Sequence, residues 1–338
     1  MITISLCMIV KNEEKVLQRC LDTVADLVEE LVIVDTGSTD KTMQLAAAYP
    51  HVKLYEFPWI DNFAAARNFA FSKATQEYIY SADADEVLDE TNRERFRDLK
   101  AALLPEVEIV QMKYGNQLQF GTVYNYDEEY RPKLFKRQRS FVWEGAIHET
   151  VCTTPVIYDS DIVITHMPQS SHAGRDFAAF ERLAERGERL SKRLHNMYAK
   201  ELFIAGCDED FVRAGAFFEQ SAQDTERDGE EIKEACLLAA SAARRRGDVC
   251  RFFKYALKVI ADEGCSEICC ELGDFYAARQ DYEEAAIWYY NACYETEALL
   301  MLKSKGAETL KKLAACYEKL GMPEVAESYR AEIELVKV

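Results

Sequence analysis

The chain has 338 residues, 49% of them hydrophobic, which is enough for two ordinary domains with separate cores. Its formal net charge of -18 argues against general nucleic-acid binding, which needs a basic footprint, but leaves room for an anionic nucleotide held by local Arg, Lys or a metal ion. The apolar stretch Ile2 to Val10 is short and runs straight into Lys11-Asn12-Glu13-Glu14, and nowhere do 18 apolar residues follow one another, so neither a signal peptide nor a membrane span is expected and a cytoplasmic protein is. Eleven cysteines, an odd number without a Cys-x-x-Cys, read as reduced thiols in helical cores.

In chain order, Ile2 to Val10 reads as a buried strand, short and β-branched, followed by a helical pattern to about Leu27. Leu31 to Val34 reads as a second strand ending in Asp35-Thr36-Gly37-Ser38-Thr39-Asp40, where Ser38 or Thr39 is expected to cap a helix that runs to about Tyr49. Val52 to Phe57 is a weaker strand leading through Trp59, Asp61 and Asn62 into a helix that carries Arg67 and Asn68. Glu77 to Ser81 is a fourth strand, ending in Asp83-Ala84-Asp85; were the strand to continue, its period of two would turn both carboxylates to one spot, a set of oxygens suited to Mg²⁺ or Mn²⁺. Alternating strands and helices imply a mainly parallel sheet covered by helices. Ligands of such sheets bind outside the carboxyl ends of the strands, and each of these four polar clusters falls at such an end. Neither a dinucleotide-binding Gly-x-Gly-x-x-Gly nor a P-loop is present, and Leu88 stands where an EF-hand loop needs Gly.

Four pieces resemble glycosyltransferase family 2 and its GT-A fold: Ser5 to Glu14, Ile33 to Asp40, Ala65-Ala66-Arg67-Asn68 and Asp83-Ala84-Asp85. The resemblance implies a UDP-sugar donor, a Mn²⁺ or Mg²⁺ ion, and a donor site made of Val10, Asn12, Glu13, Asp35, Asp61, Arg67, Asp83, Ala84 and Asp85. Within it, Asn12, Glu13 and Asp35 would take base and ribose, Arg67 would lie near the diphosphate, and Asp85 with Asp83 would hold ribose and metal.

Further along, a helix is expected over Thr91 to Leu103 and a strand over Val107 to Tyr114, with Asn116 to Gln119 as a possible continuation. The segment Trp143-Glu144-Gly145-Ala146-Ile147-His148-Glu149 resembles a Trp-Glu-Gly-x-x-His-Glu subgroup of the family, in the region where inverting members carry their general base. Glu149 and Glu144 are the candidates, Glu149 preferred because it follows the motif His; an ion pair with a nearby Arg is the structural alternative for Glu144. Trp143 and His148 would lie on the acceptor side. His166, closing the apolar strand Ile162 to His166, is expected as a third metal ligand because GT-A enzymes commonly use a late His, while Ser170 to Gly174 is expected to form a lid.

From Phe177 onward Ala, Leu, Glu and Arg dominate, and helix pairs turn near Gly206, Gly247, Gln280 and Gly321. Leu272-Gly273-Asp274-Phe275-Tyr276 with Tyr282 to Tyr289, and Leu313 to Tyr317 with Leu320 to Tyr329, resemble tetratricopeptide repeats. The reading is therefore a GT-A domain over 1–175 and a tetratricopeptide-like helical domain over 176–338, with a possible homodimer. The combination resembles bacterial peptide and protein glycosyltransferases, including the sublancin-type S-glycosyltransferase subgroup. It implies an inverting transfer of a hexose or N-acetylhexosamine to a peptide or protein side chain, with a sugar or lipid-linked glycan, or a non-catalytic scaffold, as the alternatives.

Overall fold

The computed structural model describes residues 1–115, 129–146, 149–151, 155–167, 173–187 and 189–336. Contacts gather the chain into two compact units, Met1–His172 and Ala173–Val338. The first is built of β1 (Ile4–Val10), α1 (Leu17–Val24), β2 (Glu30–Asp35), α2 (Thr42–Ala46), β3 (Val52–Glu56), α3 (Phe63–Lys73), β4 (Tyr78–Ser81), β5 (Glu86–Val87), α4 (Glu90–Ala102), β6 (Ile109–Gly115), β7 (Glu129–Lys136), β8 (Trp143–Glu144), β9 (Thr150–Val151) and β10 (Ile157–His166). Eight strands form one mixed sheet in the order β3-β2-β1-β4-β7-β6-β10-β5, and β8 and β9 pair separately. The pairs β3·β2, β2·β1 and β1·β4 are parallel, as is β6·β10. Only β7, antiparallel to both β4 and β6, and β5, antiparallel to β10, run the other way. Because β7 is antiparallel to both of its neighbours, β6 and β10 run with β4, and their carboxyl ends share its edge.

The strand period of two divides the apolar residues between the faces. Ile4, Leu6, Met8 and Val10 of β1 join Leu31, Ile33, Tyr78 and Tyr80 in a core under α1 and α4. Cys7, Val32, Val34 and Ile79 point the other way, into a core with Ala70 and Phe71 of α3 and with Phe135. Buried runs with apolar residues on both faces are what central strands of a covered sheet require.

Two local expectations give way to other bonds. Ser38 and Thr39 do not cap α2: the Ser38 hydroxyl accepts from the Asn12 amide N–H at 2.9 Å, and the Thr39 N–H donates to Asn12 Oδ1 at 2.7 Å. Asp40 caps the entry to the helix instead, accepting from the Thr42 N–H at 2.9 Å. Nor does β4 reach the acidic pair. It ends at Ser81, and a turn closed by the Glu86 N–H on the Asp83 carbonyl (3.2 Å) sends the chain back as β5. The expected continuation over 116–119 lies outside the described residues, as do 170–172 of the expected lid, while Ala173 and Gly174 open a helix.

The second unit is helical: α5 (Ala173–Glu185), α6 (Lys192–Ala205), α7 (Asp208–Ser221), α8 (Gly229–Arg245), α9 (Val249–Ala261), α10 (Ser266–Ala277), α11 (Tyr282–Tyr290), a π-helical turn Asn291–Glu295, α12 (Ala307–Lys319) and α13 (Pro323–Val336). Three of the four expected turns, Gly247, Gln280 and Gly321, have positive φ (73°, 63° and 75°), which ends one helix and turns the chain into the next. Gly273 is the small residue of the repeat pattern for a steric reason: a Cβ there would lie 2.5 Å from the Tyr289 ring. Ten cysteines among the described residues are free; Cys207 and Cys250 are exposed, so Cys250 is not the core residue its apolar setting suggested. No helix among the described residues is long and apolar enough to cross a membrane.

Candidate active site

At the carboxyl end of the sheet the polar loops are tied to one another. The Thr36 N–H and hydroxyl both donate to the Val10 carbonyl (2.9 and 3.1 Å), and the Phe57 N–H donates to the Asp35 carbonyl at 2.8 Å. Asn12 takes a left-handed conformation (φ 57°), which Asn tolerates, and its side chain is engaged with the loop after β2. The Asp35 carboxylate is buried and accepts from the Ser38 N–H at 3.0 and 3.1 Å. The Glu13 N–H is anchored on Thr42 Oγ1 at 2.7 Å, and Asp61 (φ 55°) accepts from the Trp59 indole at 3.0 Å. Ala84 faces the core, so any contact of its own with a ligand is through its backbone.

Helix α3 supplies the central cation. Asn62 caps it by accepting from the Ala65 N–H at 2.9 Å, which directs the first turn at the strand ends. Ser81 follows Ile79 by two and so lies on the α3 side of the sheet. There Arg67 reaches Ser81 Oγ (3.3 Å), Asp83 Oδ1 (2.8 Å) and the Glu149 carboxylate, with its guanidinium 5.0 Å from the Trp143 ring centroid. The next residue, Asn68, holds the other wall. Its amide donates to the Trp143 carbonyl at 2.9 Å and accepts from the Trp143 N–H at 2.8 Å, in the manner of a neighbouring strand. Burial opposes the charge of Arg67, but Asp83 and Glu149 outweigh it and hold the guanidinium protonated. Burial alone would raise the Asp83 carboxyl; Arg67, with Lys133 behind it, overcomes that and brings it down to about 2.

Asp85 turns the other way. The register of β5 on β10 pairs Glu86 with His166 and sets Asp85 Oδ2 3.1 Å from His166 Nε2. The His166 ring lies 5.2 Å from the Tyr114 ring, whose neighbours include the Arg131 guanidinium (3.9 Å) and the Lys133 ammonium (5.2 Å). Beneath them Glu86, 2% exposed, is paired with Lys133; its burial raises its carboxyl despite that partner. Arg19 of α1 donates to the Met167 carbonyl at 2.6 Å and fastens the end of β10.

The two aspartates of the motif thus diverge, Asp83 to Arg67 and Asp85 to His166, and among the described residues no three His, Cys, Asp or Glu side chains are set to hold a metal by themselves. The residues still fit a hard divalent cation completed by substrate oxygens. Neighbouring ligands of an octahedral ion with bonds of about 2.1 Å lie about 3.0 Å apart, close to the Asp85–His166 separation. Of the base candidates, Glu149 is nearly buried and gives Oε1 to Arg67, whereas Glu144 is exposed, opposite Thr150 in the β8–β9 pair. His148 lies outside the described residues. Asn68, Ser81, Glu86, Tyr114 and Lys133 had no role in the sequence reading. The signals were present only as neighbours of motifs: Asn68 beside Arg67, Glu86 beside Asp85, and Lys133 in a basic run.

A mainly parallel sheet with carboxylates, an arginine and a histidine at its carboxyl edge is the arrangement of the GT-A class of α/β domains. Residues 5–163 match Glycosyl transferase family 2. Among relatives, a TPR repeat-containing protein of Synechococcus elongatus is 48% identical over 88 residues, 26% of this chain and 22% of the relative. The SPbeta prophage-derived glycosyltransferase SunS of Bacillus subtilis is 29% identical over 148 residues, 44% of this chain and 34% of the relative. The chain therefore spans about a fifth to a third of the length of these curated relatives. Among solved structures, glucosyl-3-phosphoglycerate synthase of Mycobacterium tuberculosis, in complex with Mn²⁺, UDP and glucosyl-3-phosphoglycerate, covers 56% of this chain and 82% of its own, at 14% identity and a TM-score of 0.41.

Proposed function

We propose that the protein is an inverting, metal-dependent glycosyltransferase that moves a hexose or N-acetylhexosamine from a UDP-sugar to a peptide or protein side chain. The observation that carries this reading is the convergence, at one end of the sheet, of the Arg67–Asp83–Glu149 cluster with the Asp85–His166 pair. In this reading Val10, Asn12, Glu13, Asp35 and Asp61 line the nucleoside side, and Asp85 and His166, with Asp83 at hand, hold a Mn²⁺ or Mg²⁺ ion. When bound, the ion offsets charge on the departing diphosphate. Arg67 adds a fixed positive charge beside it, preorganised by its two carboxylates.

The base takes the acceptor's proton while the acceptor oxygen or sulfur bonds to the anomeric carbon and the bond to the diphosphate breaks on the opposite face, which inverts that carbon. Glu149 keeps Oε2 for this task while Oε1 is held by Arg67; Glu144 is the second candidate. Trp143, fixed by Asn68, offers a flat wall for the acceptor. The paired helices of the second unit favour a polypeptide acceptor, because such repeats present extended surfaces.

A thermal-shift screen of the full chain with UDP-glucose and UDP-N-acetylglucosamine, with and without Mn²⁺, tests the donor assignment. The expected result is a Mn²⁺-dependent rise for at least one donor that Asp85→Ala and His166→Ala each remove. No shift with any sugar nucleotide, or an unchanged Mn²⁺ dependence in both variants, overturns it. Transfer of labelled sugar to peptides rather than to glycans tests the acceptor.

A further inference from the structure

Behind the Asp83–Glu86 turn lies an ion pair that touches neither donor nor acceptor in the reading above. Lys133 of β7 and Glu86 of β5 are both buried and paired with each other. The second Glu86 oxygen is buried with no partner, so among the described residues Lys133 alone stands against that carboxylate. The surroundings are those of a hydrophobic core: Cys20, Tyr80 and Tyr114, which feel the Glu86 charge, all belong to the cluster on the α1 side of the sheet. Apolar residues of similar volume could replace such a pair with little or no loss, because burying two charges costs about as much as their attraction returns. Stability is therefore a weak reason for the pair, and its position supplies a better one.

Three carboxylates, Asp83, Asp85 and Glu86, crowd into a four-residue turn, and each faces a different partner: Arg67 on the α3 side, His166 of β10, and Lys133 from within the core. Lys133 reaches the Asp85–His166 pair by two routes. Its ammonium lies 5.2 Å from the Tyr114 ring, which lies 5.2 Å from the His166 ring. It also holds Glu86, which opposes His166 in the β5–β10 ladder, next to the Met167 N–H that donates to the Asp85 carbonyl at 2.9 Å. Strand β5 has only two residues, too few for its ladder to fix its own register. A slip of one residue would turn the Glu86 side chain out of the core and Asp85 away from His166. We propose that Lys133 is a positioning residue of the ion site: by drawing Glu86 into the core it pins the register of β5, and with it the approach of Asp85 to His166. The inference rests on the metal reading given above.

The test compares Lys133→Met, which leaves Glu86 unpaired in the core, with Lys133→Met/Glu86→Leu, which removes both charges. Two quantities are read from the full chain with UDP-glucose: the melting temperature without metal, and the Mn²⁺ concentration at half of the Mn²⁺-dependent rise. A pair that only stabilises the core would move the first and leave the second. Lys133→Met should lower the metal-free melting temperature, and adding Glu86→Leu should restore it to within a few degrees of the parent. The Mn²⁺ half-point of the double variant should nevertheless stay raised by about tenfold or more, the usual cost of losing a residue that orients a metal ligand. A smaller rise overturns the proposal. So does a double variant that fails to fold or stays as unstable as Lys133→Met, since the pair then serves the fold itself. Absence of any Mn²⁺-dependent rise in the parent overturns the metal reading and the proposal together, whereas a parent that responds and a double variant that responds alike overturn the positioning role alone.

Discussion

Replacing Arg67 by Met keeps much of the side chain's length and its contact with Trp143 but removes the charge that Asp83 and Glu149 share. Breaking a buried ion pair from one side costs about 3–5 kcal/mol. Glu149 has a side chain only 10% exposed and Asp83 one that is 37% exposed, so the lower part of that range applies, roughly 3–4 kcal/mol at pH 7. The share of Asp83 follows from its carboxyl, held at about 2 against an ordinary 3.8, and is roughly 1 kcal/mol once solvent screening is counted. Its sign is definite. A depressed carboxyl stabilises fully above the unfolded value and loses that contribution as pH falls from about 4 towards 2. Glu86, raised by burial, acts oppositely, but it is present in both proteins and largely cancels from the difference. Urea unfolding followed by tryptophan fluorescence in a Trp288→Phe background leaves Trp59 and Trp143 to report on the sheet unit. The stability gap between the parent and its Arg67→Met variant should be largest at pH 7 and narrow below pH 4. A gap under about 1 kcal/mol at pH 7, or one that stays constant down to pH 3, refutes the reasoning.

Asn68→Ala removes both hydrogen bonds to the Trp143 backbone and should cost roughly 2 kcal/mol in the same unfolding assay, with Asn68→Asp, which retains only the acceptor, falling between. Gly273→Ala forces a methyl against the Tyr289 ring, since the added carbon would lie 2.5–2.9 Å from it; a loss of about 1–3 kcal/mol is expected in the transition reported by Trp288, with donor-induced thermal shifts of the sheet unit retained.

The parts of the fold that were legible in the sequence are those whose cause is local. Runs such as Ile4 to Val10 and Leu31 to Val34 are apolar on both faces because the sheet is covered on both, and their order follows from alternation with helices. The polar clusters after those strands were legible too, since a parallel sheet has only one edge where such clusters can gather. What the sequence withheld is pairing at long range. Ser38 and Thr39 carry every local mark of a helix cap, yet Asn12, more than twenty residues away, competes for them and wins. Arg67 finds Glu149, and Asp85 finds His166, across more than eighty residues, the latter through a two-residue strand too short to show any period.

This long-range pairing changes what the Asp-x-Asp motif means. A strand would make its two carboxylates equivalent; the turn at residues 83–86 makes them different, one held low by a guanidinium and the other set against a histidine. Asp83→Asn should therefore behave as a weaker form of Arg67→Met, with a loss of stability that fades below pH 4 and Mn²⁺ still raising the melting temperature in the presence of the donor. Asp85→Asn should remove the Mn²⁺ effect. If both variants lose the Mn²⁺ effect to the same extent, the two carboxylates act together on one ion, and donor binding must first draw Asp83 away from Arg67.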